Sequence, residues 1–104
     1  MGIAQGTTPY LMMSIKGYDL TTAAAIIVTL KTQSIRESFD QTRITVTADN
    51  NESLLTIHLT QTETLALLPN KAQVQVRWRD GNDEAFSTVI EEISVSDCIY
   101  KGVV

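Results

Sequence analysis

Strict alternation of apolar and polar residues through Leu55, Ile57 and Leu59 passes into a helix-start signature and then into a second alternating run, Val74, Val76 and Trp78. Period-2 patterning is that of a strand with one buried face. Between the runs, Thr60 and Glu63 hold the spacing of a capping box, in which hydroxyl and carboxylate each satisfy a free backbone N–H. Pro69 ends any helix within two turns. Strand, single helical turn, strand is how an antiparallel sandwich carries its chain from one sheet to the other.

The rest of the chain repeats the strand pattern. Leu11, Met13 and Ile15 share one face of a first strand, and Pro9 stands near its start, where a missing N–H is tolerated at an edge. Ile26, Val28 and Leu30 share a face of the second, and Ile44 and Val46 alternate with threonines further on. Asp49-Asn50-Asn51 and Asp80-Gly81-Asn82 are hairpin turns. The pattern predicts strands over 8–16, 24–32, 35–39, 43–48, 53–59, 72–79 and 85–96, with a helical turn over 61–67. Val89, Ile93 and Val95 share parity with Glu91, so the last strand is expected to carry a bulge or to lie at an edge. Seven strands with turn signals at roughly 8–12-residue spacing make an all-β, immunoglobulin-like antiparallel sandwich, one domain over 1–104. The predicted core is Leu11, Met13, Ile15, Ile26, Val28, Leu30, Ile44, Val46, Leu55, Ile57, Leu59, Leu65, Val74, Val76, Trp78 and Val89.

Composition excludes several classes of function. The net charge is −4 and the eight basic residues are scattered, whereas phosphate binding needs Lys and Arg gathered on one face, so nucleic acid is not an expected partner. No apolar run approaches the roughly 18 residues that span a bilayer, and no membrane contact is expected. Residues 1–6 lack the basic and apolar regions of a signal peptide, which implies synthesis and use without export through the general secretory route. Cys98 is the only cysteine, so no internal disulfide can form, and its place near the last apolar run reads as a buried, inert thiol.

Chemistry-bearing constellations are missing. His58, the only histidine, falls on the polar face of its strand beside Thr56 and Thr60, and one imidazole is not a metal site. Asp80, Asp83 and Glu84 cluster at a hairpin tip without the spacing of a calcium loop, as a solvated turn does. No Gly-x-Ser-x-Gly elbow, dinucleotide turn or P-loop occurs. Arg77, Trp78 and Arg79 resemble a stacking platform, but Trp78 is in phase with Val74 and Val76 and belongs to the core. The sequence therefore offers no catalytic residue, no metal site, no cofactor and no small-molecule substrate.

Several short segments in order resemble small immunoglobulin-like proteins encoded by phages and prophages of Gram-positive bacteria, found among tail and baseplate genes. They are Gly6-Thr7-Thr8-Pro9, Ile27-Val28-Thr29-Leu30-Lys31, Leu59-Thr60-Gln61 with Glu63-Thr64-Leu65, Val74-Gln75-Val76-Arg77 with Asp80-Gly81, and Gly102-Val103-Val104. The layout is also similar to the N-terminal module of phage upper-baseplate proteins, with no receptor-binding extension expected. The resemblance implies a non-enzymatic structural or adaptor protein, made in the bacterial cytoplasm and associated with the virion tail. Its implied partners are other tail or baseplate proteins or further copies of itself. A carbohydrate- or surface-binding module, or an assembly factor absent from the virion, are the alternatives. Tyr18 and Phe39 are the aromatic residues on the loops such a binding module would use.

If the first, second and fifth strands share a sheet, its outer face shows Tyr10, Met12, Ile27 and Leu54. Four large apolar residues converging on a face expected to be polar form a candidate protein-contact surface. A register slipped by one residue would instead bury Tyr10 and Met12.

Overall fold

The alternating runs form two layers in the computed structural model, which describes every residue except Met1, Ser34, Leu68, Pro69, Val89, Asp97 and Ile99, with Ile35 and Asn70 described by backbone alone. The strands are β1 (Gly2–Ala4), β2 (Tyr10–Lys16), β3 (Ala25–Thr32), β4 (Ile35–Phe39), β5 (Thr45–Asp49), β6 (Glu52–His58), β7 (Asn70–Arg79), β8 (Ala85–Ser87) and β9 (Glu91–Ser96). A 3-10 turn (Leu20–Thr22) lies between β2 and β3, and a helical turn, α1 (Gln61–Ala66), between β6 and β7. The larger sheet has the order β1-β9-β7-β3-β4, with β8 also on β7; the smaller is β2-β6-β5. All pairs are antiparallel except β1 with β9. This is an immunoglobulin-like sandwich.

One expected pairing is corrected. The second long strand, β3, does not join the first and fifth; it pairs with β4 and β7 in the opposite layer. The connection over residues 17–24 is too long for a tight hairpin, and it carries the chain across the sandwich instead. Register then sets Ile26, Val28 and Leu30 against Trp78, Val76 and Val74. These side chains are buried together with Leu11, Ile15, Ile44, Leu55, Ile57 and Leu59, as the alternation predicts. Met13 and Val46 are only partly buried against that core, and Leu65 is also half-buried. Val89 lies outside the described residues, as does the helix-ending Pro69. Ile3, Leu20, Phe39, Leu67, Ala72, Ile93 and Val95 complete the core.

The last predicted strand is two strands rather than one with a bulge or at an edge: β8 ends at Ser87, β9 begins at Glu91, and β9 lies between β7 and β1. Thr88 holds the break, its N–H donating to the Val76 carbonyl at 2.9 Å and its hydroxyl accepting from the Val76 N–H. The β5–β6 hairpin closes through Asn50 and Asn51, with φ of 50° and 61°, the two left-handed residues of a type I′ turn. In the β7–β8 hairpin the left-handed residue is Asp83 (φ 66°), not Gly81. The Asp80 carboxylate accepts there from the N–H groups of Asn82 and Glu84, which fixes the loop without glycine's freedom.

The capping box forms as the spacing predicts. Thr60 Oγ1 accepts from the Glu63 N–H at 3.2 Å, and Glu63 Oε1 accepts from the Thr60 N–H at 2.9 Å. Thr60→Ala should cost about 1 kcal/mol. Glu63 also holds Arg43, so Glu63→Ala should cost more, about 1–2 kcal/mol. A urea-melt double-mutant cycle should show the losses to be non-additive, because both side chains serve one helix start. Additive losses would mean that the two act separately.

Candidate interaction surface

Register fixes what the smaller sheet presents to solvent. Tyr10 faces His58 across the β2–β6 pair, Met12 faces Thr56, and Ser14 faces Leu54. Leu11 and Ile15, one residue out of step, are buried, so the slipped register does not occur. Tyr10 and Met12 are 59% and 50% exposed, and Leu54 is half-buried beside Ser14 and Thr47. The Tyr10 ring stacks on His58 at 4.3 Å between centroids, and His58 Nε2 lies 3.1 Å from the Thr8 carbonyl oxygen. His58 is thus surface-lying and held by the strand start.

Ile27 is not part of this face. It sits on β3 opposite Arg77, on the outer side of the other sheet. The candidate surface therefore reduces to Tyr10, Met12 and Leu54, because the crossing before β3 puts the second strand in the far layer.

The feature that sequence reasoning missed is the open edge of β2. Leu59 N–H donates to the Pro9 carbonyl, and Gly17 N–H donates to the Asn51 carbonyl. Those two bonds set the phase: Leu11, Met13 and Ile15 exchange hydrogen bonds with β6, while Tyr10, Met12, Ser14 and Lys16 turn their backbone N–H and C=O outward. Among the described residues nothing pairs with those outward groups.

The other edges are guarded. β1 is three residues long. On β4, register with β3 puts Glu37 opposite Leu30, a charge on the inward side of an edge strand. The Leu20–Thr22 turn packs beside β5. Short length, inward charge and cover are the usual defences of a sheet edge. β2 has seven residues in regular register, no internal proline, and Lys16 as its only charge. Pro9 near the strand start is the one local hint of an edge; that the edge stays open along β2 is a tertiary fact, since among the described residues no strand but β6 pairs with it.

Beneath that edge runs a cleft of about 380 Å³. Its walls include Leu11, Met13 and Ile15 from β2, Val76 from β7, and Glu91 and Ile93 from β9. Its floor is formed by β7 and the start of β9 in the larger sheet.

A charged cluster forms around Arg43, next to His58. Both guanidinium nitrogens of Arg43 donate to Glu63 at 2.8 Å, one also reaches the His58 carbonyl, and the guanidinium lies 5.3 Å from the centre of the Phe39 ring. The Arg43 hydrogen bonds hold Glu63 below the usual carboxyl range. Its stabilising contribution is complete above the ordinary value of about 4.3 and drains as pH falls through the lowered folded value. Glu37 shifts the opposite way, raised by burial first and then by the Glu63 charge. A carboxyl that holds its proton more tightly when folded subtracts stability as pH rises past the ordinary value. Glu37→Gln should therefore raise the thermal midpoint at pH 7 and change little well below pH 4. A midpoint at pH 7 no higher than the parent's would contradict this.

Among the described residues no three His, Cys, Asp or Glu side chains are grouped to hold a metal ion, and no helix is long and apolar enough to cross a membrane. Cys98 is half-buried rather than buried, its Sγ within 3.2 Å of the Tyr100 carbonyl oxygen. Phe39 is buried, and Tyr18 lies edge-on to Trp78 at 5.2 Å.

No protein-family model matches the chain, and no curated protein matches it. Among solved structures it is similar to AggA, the major subunit of aggregative adherence fimbriae type I from Escherichia coli. The likeness has 8% identity over 93% of this chain and 89% of that one, with a TM-score of 0.45. At that identity and score it carries no argument about function.

Proposed function

We propose that the chain is a non-enzymatic structural or adaptor protein of a bacteriophage or prophage, associated with the tail or baseplate and acting through protein–protein contacts. The observation that carries the contact role is the β2 edge, unguarded along its length and flanked by exposed Tyr10 and Met12. An edge of that kind is selected against unless another chain covers it. Support for the phage setting is the sequence resemblance, above all Leu59-Thr60-Gln61 with Glu63-Thr64-Leu65. A carbohydrate-binding module would need several free aromatic rings on one loop set; here Phe39 is buried, and Tyr18 is 43% exposed with its ring against Trp78.

Mass spectrometry of particles purified from an induced host culture tests the assignment. Peptides of this chain should co-purify with the tail fraction. Their absence from particles, with the protein abundant in the lysate, would overturn the virion role.

A further inference from the structure

We infer that the open edge of β2 receives one extended segment of a partner polypeptide, which adds as a fourth strand to the smaller sheet. This rests on the protein-contact part of the function proposed above and is independent of its phage setting.

Two observations select that occupant. The outward N–H and C=O groups of Tyr10, Met12, Ser14 and Lys16 form the half-ladder that an added strand completes. An added strand lies about 4.8 Å beyond β2, over the mouth of the cleft between β2 and the start of β9. Alternate side chains would meet Met13, half-buried in the cleft wall.

Charge gives the second observation. The cleft is lined by Glu91 and Glu92. Glu92 is paired with Lys71 at 3.2 Å, while Glu91 has no ion-pair partner among the described residues. The segment that fits is therefore alternating in polarity, apolar on its inward side and basic where it passes Glu91. An acidic segment would meet like charge.

The test uses the full chain and a synthetic peptide of alternating threonine and valine with a lysine at each end, both termini blocked. Amide hydrogen exchange is read by NMR. In the free protein, the N–H groups of Met12, Ser14 and Lys16 should exchange rapidly and those of Leu11, Met13 and Ile15 slowly. Peptide at millimolar concentration should slow the first set at least tenfold. Ser14→Pro removes an outward donor at a position where an edge strand accepts proline, and it should abolish the protection at Met12 and Lys16. A peptide ending in glutamates should bind several-fold more weakly than the lysine-ended one. Should Ser14→Pro fail to fold, the comparison of the two peptides on the unaltered chain decides. Outward amides left unprotected, protection confined to another edge such as β4, or equal binding of acidic and basic peptides would each overturn the proposal. None of those results would bear on whether the chain is found in particles.

Discussion

Replacing Trp78 by alanine is expected to lower folding stability by about 3–5 kcal/mol, the range for an emptied large aromatic site. The indole is 6% exposed on β7, with Ile26 opposite it on β3 and Phe86 opposite it on β8. It stacks on Phe86 at 5.7 Å and receives the edge of Tyr18 at 5.2 Å. Such aromatic pairs add about 0.5–1.5 kcal/mol each beyond area burial. Neither neighbour can collapse into the gap freely, since Phe86 belongs to a three-residue strand and Tyr18 to the crossing between sheets. A domain of this size holds about 5–15 kcal/mol in total. The loss should lower the thermal midpoint by roughly 15 °C or more. Urea unfolding followed by circular dichroism measures it, with Trp78→Phe as the partial replacement that should recover much of the loss. A Trp78→Ala protein that unfolds like the parent would mean that the ring is not held in the core.

The burial of Trp78 is legible in the sequence because its phase is that of Val74 and Val76. Local pattern carries most of the fold in the same way. β4 has the predicted bounds, and β2, β3, β5, β6 and β7 begin and end within two residues of theirs. The capping box is a local motif, and it forms where its spacing places it. What pattern cannot supply is partnership between distant segments. Ile27 obeys its alternation on β3, yet it faces away from Tyr10 and Met12 because the 17–24 crossing sends β3 to the other sheet. β1 is too short for a period to show, and it exists because β9 offers it an edge. The open side of β2 is legible only once every strand pair is known. Contact surfaces made of backbone leave no residue signature, so the candidate site is visible in Tyr10 and Met12 and hidden in the groups between them.

Ser53→Ala should cost about 2–3 kcal/mol, a large effect for the loss of one oxygen atom, since each buried partner left unpaired costs about 1–3 kcal/mol. Ser53 is fully buried on β6, between Ile15 of β2 and Ala48 of β5. Its inward position follows from the alternation that continues through Leu55 and Ile57, where a serine looks out of place. The hydroxyl accepts from the Leu20 N–H at 2.8 Å and donates to the Tyr18 carbonyl at 2.8 Å. One oxygen thus serves both backbone groups where the chain leaves β2 for the opposite layer. Alanine fills nearly the same space, so cavity formation contributes little and orphaned hydrogen-bonding groups account for the loss. The Leu20–Thr22 turn also packs beside β5, so loosening it should speed amide exchange at Val46 and Ala48, which point away from β6. Thr56→Ala, on the outer face of the same strand, should stay within about 0.5 kcal/mol of the parent. Equal losses for Ser53→Ala and Thr56→Ala would show that strand propensity, not the crossing, sets the cost. A larger loss at Ser53, with faster exchange on β5, would tie it to the segment that places β3 in the far sheet and leaves the β2 edge open.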